Sequence, residues 1–177
     1  MRKMDLDGLT LCAIQADVFE RSIDQFSCSS DIFIKRFTNS RMAPLFDGKS
    51  ILNDSYSTEA ILNELRQEFG SLSYGSIKYS QNEMYWIGYT YRYFCYTYDL
   101  SLKQVYRIAS PAEMRNLYLP YHTLDCSQAI ERILEAKGIA LNEEAIINKG
   151  ISILRNIHLK EKLRNVYFLI GNACAGK

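Results

Sequence analysis

Gly171, four residues, Gly176 and Lys177 have the spacing of a phosphate-binding loop. In such a loop glycines let backbone amides approach phosphate oxygens and the lysine reaches the outer phosphates. A following Ser or Thr then holds magnesium. The apolar run VYFLI at residues 166–170 predicts a short strand leading into it. The hydroxyl residue and the helix that would complete the site do not follow in the sequence. Gly171, Gly176 and Lys177 are therefore expected to bind phosphate only if the chain continues, with ATP or GTP and Mg as the implied ligands. The expectation for residues 161–177 is an incomplete P-loop-like strand and loop, truncated or a remnant.

A different chemistry is offered by MYWIGYTYRYFCYTYDL, residues 84–100. On a helix Trp86, Tyr89, Tyr93 and Tyr96 fall three and four apart and share one face. Tyr85, Gly88, Tyr91, Cys95 and Tyr98 cover another. A helix aromatic nearly all round is a central, buried one, with Gly88 marking a close helix contact. The same residues suit an interface, because Tyr and Trp offer large area, few rotors and a polar tip. Arg92 lies among them and needs a partner: an ion pair with Asp99 or Glu83, a ring face, or a bound group. Trp86, Tyr89, Arg92, Tyr93 and Tyr96 are the candidate partner-binding residues.

Other reactive side chains are few. His122 stands beside Tyr121, Thr123 and Asp125, an arrangement that suits a base but is expected to be structural just before a helix cap. Cys126 falls where a helix dipole lowers a thiol pKa, with nothing nearby to complete a nucleophile. The five cysteines include no C-x-x-C pair, which fits reduced, buried thiols of a cytoplasmic protein. Two histidines in separate segments make no zinc pattern. No catalytic residue, resident metal or cofactor is expected of the chain as it stands.

The elements that must position these groups read as helices. Residues 7–25 carry Leu9, Cys12, Ala13, Ala16, Val18, Phe19 and Ile23 on a helical stripe. Ser29 or Ser30 caps a helix with Ile32, Phe33 and Phe37 inward. Pro44 and FDGKS predict a turn. Ser57 opens a helix that Gly70 closes, and residues 70–80 read as loop. Ser80 with Glu83, Ser110 with Pro111 and Glu113, and Asp125 with Gln128 have capping-box spacing. Gly138 ends the helix begun at Asp125, whose Glu131, Arg132, Glu135 and Lys137 form an exposed charged face. Asn142 caps a further helix. The fold class predicted is all-α, a multi-helix globular bundle, with one short β-strand or extended tail at the C-terminus. Residues 1–160 form the helical interaction domain.

The charged residues balance to a net +1 over 177 residues, and no apolar stretch approaches a membrane span. That balance weighs against a nucleic-acid footprint. DNA binding through a helix-turn-helix in residues 101–136, with Lys103, Arg107 and Arg115, is the lesser alternative.

The stretch SLKQVYRIASPAEMRNLYLPYHTLD carries Ser101, Lys103, Gln104, Val105 and Tyr106, then Tyr121, His122 and Thr123. It resembles a family of short helical bacterial proteins encoded beside ADP-ribosyltransferase-like toxins and regarded as their antitoxins. The similarity runs from about Asp5 to Gly138. The resemblance implies binding without catalysis: a cytoplasmic module that neutralises a toxin by direct contact, with a homo-oligomer also possible. The competing expectation is the N-terminal regulatory portion of a kinase-like P-loop protein.

Overall fold

The computed structural model describes residues 1–53, 56–71 and 73–139. Nine helices are found among them: α1 (Leu6–Gln25), α2 (Ser30–Asn39), α3 (Met42–Asp47), α4 (Ser50–Asn53), α5 (Thr58–Phe69), α6 (Gln81–Tyr98), α7 (Leu102–Ile108), α8 (Pro111–Tyr121) and α9 (Cys126–Ala136). The fold is all-α. Met1–Ile139 form one compact unit. The strand expected at 166–170, the helix expected after Asn142 and Gly171, Gly176 and Lys177 lie outside the described residues.

Long α6 is the axis of this unit. It makes its most extensive contact with α1, and α7, α8 and α9 also pack on it. The α1–α6 contact is close because Gly88 has no side chain. A Cβ at Gly88 would lie 2.9 Å from the backbone Cα of Ala16 and 3.0 Å from the Gln15 carbonyl oxygen. Beside this seam Phe19, Phe33, Phe37 and Phe46 are buried from three helices, α1, α2 and α3. Phe19 meets Phe33 and Phe37 edge-on at centroid separations of 5.7 and 5.0 Å, the arrangement that the ring quadrupoles favour.

Caps define the helix starts. The Ser80–Glu83 and Ser110–Glu113 boxes form as the spacing predicts, each with reciprocal side-chain to backbone bonds. A third box, Ser101 with Gln104, opens α7. Asp125 caps α9 but accepts from Ser127 N at 2.8 Å, so Gln128 closes no box there. Gly70 and Gly138 take positive φ, 65° and 61°, at the ends of α5 and α9.

The sequence reading needs correction in three places. Residues 42–53 contain helices α3 and α4, and the turn is confined to Gly48 and Lys49. Pro44 is tolerated because it sits in the first turn of α3, where a backbone donor has no partner to lose. On α1, Leu9 is 44% exposed while Leu11 and Gln15 are buried, so the inward stripe is rotated from the one expected. On α2, Ile34 is buried and Ile32 is only half-buried. Both stripes were set by which neighbour arrives, and local periodicity does not encode that.

The irregular segment before α6 is tied to the start of α2. Ser29 N and Ser30 N donate to the carbonyls of Tyr74 and Ile77 at 3.1 and 3.0 Å. Tyr79 N donates to Ser30 Oγ at 2.9 Å. The first two bonds satisfy donors at the N-terminus of α2 that have no intrahelical partner.

Candidate functional site: an aromatic groove between α6 and α8

The exposed aromatic surface of α6 meets α8 in a groove lined by Asn82, Tyr85, Trp86, Tyr89, Tyr118 and His122, with a volume of about 350 Å³. Positions 82, 85, 86 and 89 fall on adjoining turns of α6, and 118 and 122 one turn apart on α8. Tyr85 and Tyr89 stack at 6.3 Å and 23°. Trp86, almost buried, meets Tyr118 edge-on at 5.8 Å. Tyr118 in turn stacks on His122 at 4.7 Å. The rings thus brace one another across the two helices. Burial pushes the Tyr89 hydroxyl up to about 12, so it remains a neutral donor at physiological pH.

His122 ends α8. Its backbone N donates to the Tyr118 carbonyl at 2.8 Å, and its Nδ1 lies 2.9 Å from the same oxygen. A carbonyl only accepts, so Nδ1 is the donor in this contact, and the ring itself is exposed. Asp125 takes no part, since its carboxylate accepts from Ser127 N and Oγ. The arrangement is a stacked helix cap. Cys126 departs from expectation, because burial raises its thiol pKa.

The five candidate residues of α6 do not form one surface. Trp86 and Tyr89 line the groove, and Tyr93 is half-buried further along. Tyr96 is buried, lies outside the groove, and donates its hydroxyl to Asp5 while accepting from Lys49. Arg92 is 2% exposed and points into the protein. Its partner is neither Asp99 nor Glu83. Nη1 donates to Asp47 at 2.7 Å and Nε to Gln15 at 2.9 Å. Glu83 instead pairs with Arg115 at 3.2 Å. Asp47 stands 45 positions away from Arg92, so no local spacing could have named it.

Sequence reasoning missed Tyr85, Asn82 and Tyr118 as groove residues. The available signal was the alignment of α6 positions 82, 85, 86 and 89 on one exposed edge. Tyr118 could be added only once α8 was known to pack on α6. Among the described residues no cluster of three or more His, Cys, Asp or Glu is placed to hold a metal. None of their helices is long and apolar enough to cross a membrane. No family model, curated protein or solved structure matches the chain.

Proposed function

We propose that this protein is an antitoxin-like binding module that holds a partner protein inactive by direct contact at the α6–α8 groove. The observation that carries the reading is the concentration of Tyr85, Trp86, Tyr89 and Tyr118 around one exposed, apolar cleft. Rings already braced by neighbours lose little freedom on binding, and Tyr and Trp dominate interface energetics for that reason. The sequence resemblance supplies the partner class, an ADP-ribosyltransferase-like toxin encoded beside the protein, in a bacterial cytoplasmic setting. Arg92 serves this function indirectly, by fixing α6 against α1 and α3.

The test is co-expression of the full chain with that neighbouring toxin. Copurification and relief of toxicity are expected. The Tyr85→Ala/Tyr89→Ala variant should weaken association about thirtyfold or more with little change in thermal unfolding. No association, or association undiminished in the double variant, would overturn the reading.

A second reading rests on Gly171, Gly176 and Lys177: the regulatory N-terminal part of a kinase-like P-loop protein using ATP or GTP with Mg. A reading frame that continues with Ser or Thr and a helix favours it.

A further inference from the structure

On the side of α6 that bears Arg92, a second cavity of about 140 Å³ is lined by Arg2, Phe46, Asp47, Lys49, Arg92, Cys95, Tyr96, Asp99, Leu100 and Ser101. It is several times the roughly 30 Å³ that one water occupies. Arg92 contributes a buried guanidinium, and two of its three nitrogens donate to Gln15 and Asp47. Nη2 is buried and has no hydrogen-bond partner among the described residues. A guanidinium is donor-only, and leaving a charged donor unpaired inside a protein is costly.

We propose that this cavity binds a small oxyanion, of carboxylate to phosphate size, which accepts from Arg92 Nη2 and is flanked by Lys49 and Arg2. The charges around it support that choice. Three cations line the cavity against two carboxylates, Asp47 and Asp99. The Asp47 carboxylate is already engaged by Arg92 Nη1 and, at 3.3 Å, by the Leu102 amide. Asp99 sits exposed at the end of α6. Two further acids compete for the flanking cations: Asp5, 3.2 Å from Arg2, and Asp7, 4.0 Å from Lys49. Their side chains are 49% and 62% exposed, and ion pairs so open to water are weak. An oxyanion shared with a buried guanidinium is the stronger partner. The site is independent of the aromatic groove, so the two readings stand or fall separately.

The experiment is calorimetric titration of the full chain with inorganic phosphate, sulfate and acetate, with thermal unfolding in each salt compared with chloride at equal ionic strength. Saturable binding and a raised unfolding midpoint are expected with at least one of the three. A response to acetate alone identifies a carboxylate site, and a response to phosphate or sulfate identifies a tetrahedral one. Lys49→Gln should raise the dissociation constant about tenfold, read by titration of the folded variant. Arg92→Lys, which keeps the charge but removes Nη2, should abolish binding. Tyr85→Ala/Tyr89→Ala should leave it intact. Equal midpoints in all four salts with no titration signal would overturn the proposal. So would binding undiminished in Lys49→Gln, which decides alone if Arg92→Lys does not fold.

Discussion

Arg92 joins three helices through one side chain. From α6 it donates to Gln15 of α1 and to Asp47 at the end of α3, and its guanidinium lies 5.2 Å from the Phe46 ring. Gln15 is held in turn, since its Nε2 donates to the Gly88 carbonyl at 2.9 Å. That second bond fixes the amide so that Oε1 faces Arg92. Such an arrangement does not tolerate loss of either partner, because the guanidinium, 2% exposed, is left as an uncompensated buried charge. Asp47→Ala should therefore lower stability by about 3 kcal/mol, measured by urea unfolding, even though Asp47 itself is partly exposed. A loss below about 1 kcal/mol, the size of a surface ion pair, would show that Arg92 is not held as described. The buried thiols of Cys12 and Cys95 sit nearby, each pushed up to about 12 by burial, and remain neutral.

Between elements, one carboxylate links the start of α8 to the end of α9. Glu113 accepts from Lys137 Nζ at 2.7 Å and closes the α8 capping box through Ser110 N, also at 2.7 Å. The Lys137 bond, then the Ser110 bonds, lower its pKa from 4.5 to about 2. A carboxyl whose pKa falls on folding stabilises the native state above its unfolded value. Its contribution is complete above about pH 4.5 and is lost as pH drops toward 2. Glu113→Gln should flatten the pH dependence of unfolding in that window, read by urea midpoints at a series of pH values. An unchanged profile would assign the acid sensitivity to other groups. Glu113 is largely exposed, so the effect should appear as a slope difference between the two proteins more clearly than as a large change at neutral pH.

At the scale of the whole body, the buried apolar side chains among the described residues run from Leu11 to Leu134. A unit that encloses its own core folds alone. A fragment ending at Ile139 should give a helical circular dichroism spectrum and a single cooperative thermal transition. A gradual, non-cooperative melt would show that the core needs residues beyond it. Within this body the two faces of α6 do different work. One edge presents rings to solvent beside α8, while the opposite side is committed to α1, α3 and the buried arginine.

Local chemistry in the sequence marked the starts of α2, α5, α6, α8 and α9, because a Ser or Asp side chain accepts from the first amides of its own helix wherever it occurs. It also marked α6 as the central helix and Gly88 as the point of closest approach, since a run of large rings interrupted by glycine leaves few other packings. It could not choose the partner of Arg92, the rotation of α1, or which rings stay in water. Those depend on contacts between residues far apart in the chain: Asp47 with Arg92, Ala16 with Gly88, Tyr118 with Trp86. Only the packing of α1, α3 and α8 around α6 decided that its arginine would face inward and its tyrosines would edge a groove, because burial is a property of the assembled neighbours and not of any one segment.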